Sequence, residues 1–264
     1  MEKENYLKEL LGQSHIVLSD EQIAKLVHFY EMLIEASKVM NLTTITEYTE
    51  VCRKHFLDSL SLAFLFENTK ESGGAIDLSA GLLKLLNKQT ERSVSLIDVG
   101  CGAGFPGMVL AIAFEDLQVT LLDSLNKRVG FLESVIEKLA LANCSAVHAR
   151  AEEFAKDKAH RECYDLAVSR AVANLSTLSE YCLPFVKKDG LFIAYKSAKI
   201  KEEAPAAQHA IDILGGRFER EKEFYLPAGE DATEDYRDLY VIRKVTQTPG
   251  RYPRKAGTPA REPL

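Results

Sequence analysis

The chain has 264 residues, 46% of them hydrophobic and 27% charged, the proportions of an ordinary globular protein with room for one large domain or one domain plus an added module. No apolar run approaches the roughly 18–20 residues that span a bilayer. The start, Met1-Glu-Lys-Glu-Asn-Tyr6, lacks the basic end and apolar core of a secretory signal, so a cytoplasmic protein away from membranes is expected. Five scattered cysteines with no Cys-x-x-Cys, and six dispersed histidines, point to reduced thiols and no metal centre. A net charge of −6 taken alone argues against a nucleic-acid partner.

Residues 1 to about 67 read as a helical segment. Ser19-Asp-Glu-Gln22 has the Ser-x-x-Gln form of a capping box. Behind it Ile23, Leu26, Val27, Tyr30, Leu33 and Ile34 recur at i, i+3, i+4 spacing, the stripe of an amphipathic helix. A further helix is predicted over about 47–67, with Val51, Phe56, Leu57, Leu60, Phe64 and Leu65 on its apolar side. Residues 68–93 read as a variable connector holding one short helix around Leu82-Leu83-Lys84-Leu85-Leu86. From there strands at 94–99, 118–122, 145–149, 166–169 and 191–195 alternate with helices at about 107–115, 126–141, 174–186 and 199–214. Strands that are continuous apolar runs imply a parallel sheet covered on both faces. After Gly215-Gly216 two longer strands, 217–226 and 236–245, joined by a polar loop at 227–232, read as a hairpin and not as another βα unit.

Five parallel strands followed by a hairpin is the organisation of a class I methyltransferase, a Rossmann-like α/β fold with a seven-stranded, mostly parallel sheet; a dinucleotide dehydrogenase instead builds a second mononucleotide half. The chain thus divides into a helical segment (1–67), a connector (68–93), an α/β domain (94–245) and a Pro/Gly-rich tail (246–264). Residues 243–264 carry a net +5, leaving −11 for the rest. A basic tail on an acidic body is a candidate phosphate-binding element, although its prolines and glycines also fit a solvated, disordered terminus.

Leu96-Ile-Asp98-Val-Gly100-Cys-Gly102-Ala-Gly104-Phe-Pro106-Gly107 is the most informative stretch: a buried strand feeds a glycine turn and the start of a helix. Gly100, Gly102 and Gly104 can take positive φ and let a ligand lie against the backbone. Pro106 is expected in the first turn of the helix. The Gly-x-Gly-x-x-Gly spacing from Gly102 to Gly107 fits a nicotinamide dinucleotide as well as S-adenosylmethionine, and Asp123, followed by Ser124, ends the next strand where either ligand needs a ribose acceptor. Asp98 separates the two, since an acid before the first glycine suits a sulfonium bearing a free amino group and repels a pyrophosphate. It equally fits a turn in which the carboxylate binds backbone N–H groups. S-adenosylmethionine is favoured. The rivals are an NAD(P)-dependent oxidoreductase, for which no hydride-transfer acid/base set is evident, and a non-catalytic cofactor-binding RNA scaffold.

Further motifs are Asn41-Leu-Thr43, His55-Phe-Leu-Asp58-Ser59, Leu121-Leu-Asp123-Ser-Leu-Asn-Lys127-Arg128, Ala149-Arg-Ala151-Glu152-Glu153-Phe154, Val168-Ser-Arg170-Ala171 and Pro249-Gly-Arg251-Tyr-Pro253-Arg254-Lys255. With the glycine turn, and in this order, they make residues from about 41 to the end resemble the GidB (RsmG) family of small-subunit rRNA guanine-N7 methyltransferases. The resemblance implies S-adenosylmethionine as cofactor and 16S rRNA or a ribosomal particle as partner. It also implies that Gly100, Phe105, Ala151, Glu152 and Arg170 line the cofactor site. The connector at 68–93 is longer than the family pattern leads one to expect.

The residue-level roles run alongside. Asp123 is expected to hold the ribose, and Ala151-Glu152 to bracket the adenine edge, Glu152 being alternatively a helix cap. Arg170, at the carboxyl end of the fourth strand, suits a cofactor carboxylate, an RNA phosphate or a surface ion pair. Phe105 either stacks on an extruded guanine or packs the turn. His55 and Asp58 are placed to pair at i, i+3 on one helix. Cys101 reads as a small filler. Lys127, Arg128, Lys196, Arg251, Arg254 and Lys255 are the RNA-contact candidates. Guanine N7 carries a free lone pair and no proton, so its methylation needs alignment and a dry site more than a general base; accordingly no catalytic base is assigned, and Arg170 and Phe105 are expected to act by positioning. There is no Asn-Pro-Pro-Tyr/Phe element for an exocyclic amine and no Pro-Cys nucleophile. A monomer is expected.

Overall fold

The structure, a computed structural model, describes residues 1–66, 74–88, 93–229 and 235–264. The chain opens with α1 (Glu2–Gln13) and α2 (Asp20–Met40). Both halves of the capping box form: Gln22 N donates to Ser19 Oγ at 3.2 Å and Ser19 N to Gln22 Oε1 at 2.9 Å. Gln22 Nε2 also donates to Ala113 O, tying the start of α2 to the body. The buried seam of α2 is Ile23, Leu26, Phe29, Leu33 and Ser37, with Val27, Tyr30 and Ile34 half-buried, a stripe turned slightly from the predicted one because Phe29 supplies its centre. Asn41 closes α2 in the left-handed region (φ 49°), a conformation asparagine tolerates.

The helix expected over about 47–67 is a composite. It runs through α3 (Tyr48–Val51), a π-helical turn (Cys52–Leu57), α4 (Asp58–Leu60) and a 3-10 segment (Ser61–Leu65). Helix α5 (Leu78–Leu85) is the short helix of the connector; connector residues 68–73 and 89–92, and residues 230–232 of the later polar loop, lie outside the described residues.

The α/β part follows the expected alternation: β1 (Val94–Val99), α6 (Gly107–Ala113), β2 (Leu117–Asp123), α7 (Asn126–Lys138), β3 (Cys144–His148), α8 (Ala151–Phe154), β4 (Tyr164–Arg170), α9 (Leu175–Cys182), β5 (Val186–Lys196) and α10 (Ile200–Ile213). The hairpin β6 (Gly216–Leu226) and β7 (Asp235–Lys244) and a last turn of helix, α11 (Thr258–Arg261), complete it. The sheet order is β3-β2-β1-β4-β5-β7-β6, with β1 to β5 parallel and β7 antiparallel to both β5 and β6. The order reverses between β1 and β4, so a crevice opens at the carboxyl ends of these strands.

Both faces of the central strands are buried. Leu96, Val119, Leu166, Val168, Leu191, Ile193 and Val241 join one core with α2, α6, α7 and the composite helix. Their alternates Ile97, Val99, Leu122, Ala167, Phe192, Ala194 and Ile242 join another with α9 and α10. Phe29 ties the helical segment to the glycine turn: it is fully buried and its ring lies 5.3 Å from Phe105, 6.1 Å from Phe56 and 6.5 Å from Phe131. Burying such a ring is worth about 1.5–3 kcal/mol. No helix among the described residues is long and apolar enough to cross a membrane.

Candidate functional site

The glycine turn sits at the crevice. Gly100 N and Cys101 N both donate to Leu122 O, holding the turn against the end of β2. Gly100 (φ 74°) and Gly102 (φ 59°) occupy the region closed to most side chains. A Cβ on Gly102 would meet nothing within 4 Å, so this backbone faces open space. Gly104 differs: a Cβ there would sit 3.0 Å from Leu132 and Met108, so this glycine serves packing and not the cleft. Pro106 is the residue before α6 and not part of its first turn. The first amide of the helix, Gly107 N, donates instead to Asp98 Oδ2 at 2.7 Å.

That bond defines Asp98. The side chain is fully buried and closes the turn on the helix, the second of the two readings the sequence left open. Burial is the main cause that pushes its carboxyl up to about 7, with Asp123 adding to the rise and the Gly107 amide and Arg170 opposing it. An unfolded aspartate titrates near pH ~3.9. The folded value is higher, so the protonated form's contribution to stability is complete below pH ~4 and is lost as pH climbs to about 7. Asp98→Asn keeps an acceptor for Gly107 N. It is expected to flatten the stability profile across that window, as urea denaturation at successive pH values would measure; an unchanged slope would remove Asp98 as its source.

Asp123 ends β2 beside the turn. Its Oδ2 accepts from Gly102 N and its Oδ1 from Leu125 N, both at 2.9 Å, and Arg128 Nη1 lies 3.6 Å from Oδ2. A carboxylate has about four acceptor positions, so this one orders the turn and still has capacity for a ligand hydroxyl. The cleft measures about 460 Å³ and is lined by Gly100, Gly102, Phe105, Asp123, Ser124, Arg128 and Arg170, among others. A second lobe of about 180 Å³, which shares Gly100, Asp123, Ser124 and Val172, is walled by Ala151, Glu152 and Tyr181. The structure therefore brings together every residue expected at the cofactor except Gly104. Cys101 is buried and burial pushes its thiol well up, as a filler requires.

The helical segment supplies the cleft's far wall with Leu42, Thr43 and His55, and Arg170 of β4 ties it in place. Arg170 Nη1 donates to Asp58 Oδ2 at 2.7 Å and to Lys54 O at 3.1 Å, and its Nη2 lies 3.3 Å from His55 Nδ1. The ion pair is buried, with 14% and 4% of the two side chains exposed, so it is not the surface pair the sequence allowed. His55 and Asp58 do not pair with each other; both turn to Arg170. The π-helical turn explains this, because its wider winding shifts the relative positions of residues 55 and 58. The His55 ring stacks on Phe105 at 4.5 Å, the Arg170 guanidinium lies 5.2 Å from the same ring, and Thr43 Oγ1 bonds His55 Nε2 at 3.0 Å. Phe105 is 5% exposed, so it packs the turn. Burial, with Arg170 adding, pushes His55 down to about 3, which keeps the imidazole neutral.

Beyond this wall lies a larger cavity of about 600 Å³, sharing His55, Arg170, Ala171 and Val172 with the cleft and reaching Tyr195, Lys196, Arg237 and Asp238. Arg237, whose Nε lies 3.3 Å from Asp58 Oδ1, went unpredicted. So did Val172, whose methyl would meet a Cβ on Gly100 at 2.6 Å. Only the alternation of charge in Tyr236-Arg237-Asp238 hinted at the first, and nothing local at the second. Lys196 is not free for phosphate: its Nζ donates to Glu203 Oε2 at 2.5 Å and to Ala173 O at 2.9 Å, anchoring the loop after β4.

The tail is neither disordered nor a free basic arm. Arg254 forms a bidentate pair with the buried Glu180, and Lys244 and Arg243 pair with Glu162 and Glu219. Three of the six basic residues between 243 and 264 are thus paired with acids of the body. Arg251 and Lys255 stay exposed, as does Lys127 on α7.

A family model described as rRNA small subunit methyltransferase G, GidB, matches residues 22–82 and 78–224. A protein of Lachnoclostridium phytofermentans named ribosomal RNA small subunit methyltransferase G is 46% identical over 247 residues, covering 94% of this chain and 91% of that one. Proteins of the same name from Alkaliphilus metalliredigens and Ligilactobacillus salivarius are each 45% identical over the full length of both chains. With the crevice, its glycine turn and the sheet order in agreement, the chain belongs to the GidB family of S-adenosylmethionine-dependent methyltransferases of small-subunit ribosomal RNA.

Proposed function

We propose that the chain methylates N7 of a guanine in small-subunit rRNA, with the donor in the two-lobed cleft and the extruded base in the cavity beyond Arg170. The observation that carries the reading is the wall between the two spaces. His55, Arg170, Ala171 and Val172 border both, so a base in one lies next to a donor in the other. The residues present fit the donor. Gly102 offers bare backbone to open space, Asp123 keeps acceptor capacity for ribose hydroxyls, and Ala151 and Glu152 flank the lobe suited to adenine. S-adenosylmethionine supplies an electrophilic methyl group when bound.

The chain's own groups then have to align, enclose and leave the acceptor unprotonated. His55 is neutral, with both ring nitrogens already in hydrogen-bond contact, and Asp58 is held between Arg170 and Arg237. Such a wall is poorly suited to removing a proton. Guanine N7 has none to remove and presents its lone pair directly, which favours it over an exocyclic amine. Arg170 places a fixed positive charge beside the junction, where it suits the guanine O6 or a neighbouring phosphate. Lys127, Arg128, Arg251 and Lys255 offer further phosphate contacts.

The test is methyl transfer from labelled S-adenosylmethionine to small-subunit rRNA or particles lacking the mark, followed by nucleoside mass spectrometry. Label in 7-methylguanosine is expected. Label in any other nucleoside would sink the N7 assignment, and no transfer to either substrate form would favour a non-catalytic scaffold.

A further inference from the structure

The tail is fastened to the body at several points, and one of them, Glu152, lines the smaller lobe of the cleft. Arg161 donates from Nη2 to Thr248 O and from Nη1 to Tyr252 O, and Thr248 N donates to Glu162 Oε1. Arg254 N and Nε then donate to Glu180 Oε1 at 2.7 and 3.0 Å, and its Nη2 to Oε2 at 2.6 Å. Shortly after, Gly257 N donates to Glu152 Oε1 at 2.7 Å. Beyond it Thr177 Oγ1 and Ser176 Oγ, both on α9, donate to Pro259 O and Leu264 O.

Two facts make this more than a docked terminus. Glu180 has 1% of its side chain exposed, and a carboxylate buried that deeply is strongly unfavourable without its partner. The tail therefore stays down as part of the fold. Glu152, in turn, is 4% exposed and walls the smaller lobe with Ala151 and Tyr181. Gly257 N donates to one of its carboxylate oxygens, in a residue that borders the lobe.

We propose that Arg254 is a positioning residue for the methyl donor: through Glu180 it fixes the tail so that the Gly257 N–H holds the Glu152 carboxylate ready to accept from a nucleoside. This rests on the cofactor reading of the lobe and deepens it. It also gives the basic tail of an acidic protein a use unrelated to nucleic acid. A carboxylate already held in place spares the ligand the cost of ordering it. Losing that should weaken binding roughly 3- to 10-fold.

The test measures the affinity for S-adenosylhomocysteine by calorimetry, and kcat and KM for both substrates. The variants are Arg254→Ala, Glu152→Ala, their double, and Arg251→Ala with Lys255→Ala. Arg254→Ala is expected to raise KM for S-adenosylmethionine roughly 3- to 10-fold, with kcat and the RNA KM within about twofold of the parent. The double variant should be no worse than Glu152→Ala alone, because the arginine acts only through the glutamate. Changing Arg251 and Lys255 should leave cofactor affinity untouched. Should Arg254→Ala fail to fold, Arg254→Lys carries the same test, since it keeps the charge but loses the fork, and a smaller rise in the same KM is expected. An unchanged KM, additive effects in the double variant, or a loss confined to RNA affinity would overturn the proposal. If the parent chain itself bound no S-adenosylhomocysteine, the cofactor reading of the lobe would fall instead.

Discussion

Arg170→Ala is expected to cost about 3 kcal/mol of stability and to lower the rate of methyl transfer at least about 100-fold. Removing one member of a buried ion pair typically costs 3–5 kcal/mol, because the survivor is left charged and unsolvated. The lower end applies because Asp58 keeps Arg237, whose Nε lies 3.3 Å from Oδ1. The kinetic loss has a separate origin. Arg170 joins β4 to the π-helical turn through Lys54 O and Asp58, and its guanidinium lies beside the Phe105 ring that packs the glycine turn. Without it the wall between cleft and cavity has no fixed position, and a displacement of about 1 Å between reacting groups can cost 100-fold. Urea denaturation and single-turnover methyl transfer measure the two effects separately. Arg170→Lys, which preserves charge but not the fork, should recover more stability than rate. A stability loss under about 1 kcal/mol would mean that the pair contributes little to joining the two segments.

The sheet was legible in the sequence because its central parallel strands are apolar runs and the longer helices between them carry their own periodicity; the predicted 94–99 strand coincides with β1. The cofactor cleft was legible for a different reason. Its parts, Gly100, Gly102, Asp123, Ala151 and Glu152, sit at strand ends, and a parallel sheet brings strand ends to one edge whatever the details of packing. What could not be read was anything decided by contacts distant in the chain. Arg170 meets Asp58 across 112 residues and Arg254 meets Glu180 across 74, and neither pairing leaves a local trace. The His55–Asp58 expectation failed because it assumed α-helical winding through residues that form a π-helical turn. The tail misled because composition records charge but not its partners, and here Arg254 is paired with Glu180, a buried acid of the body. Likewise Lys196 ends a strand at the right edge but is consumed by Glu203.

Gly102→Asp is expected to weaken cofactor binding at least about 100-fold, equivalent to about 2.7 kcal/mol, while leaving the fold nearly intact. The argument depends on where the new atoms go. A Cβ at this position meets nothing within 4 Å, so the side chain enters the open cleft and displaces no protein atom. The backbone is left-handed there (φ 59°), a region that costs an ordinary residue roughly 1–2 kcal/mol but that aspartate visits more readily. The introduced carboxylate lands beside Asp123, which already accepts from the Gly102 amide, and fills space assigned to the donor with a like charge. Gly107→Ala provides the contrast. Its Cβ would lie 2.4 Å from Leu121 Cδ2 and 2.8 Å from both Cβ and Oδ2 of Asp98, an overpacked site expected to cost about 1–3 kcal/mol of stability. Its effect on binding should follow from that distortion and not from blockage. Calorimetric titration with S-adenosylhomocysteine beside urea denaturation separates the two cases. Near-parental binding by a folded Gly102→Asp variant would move the donor out of this cleft and take the proposed site with it.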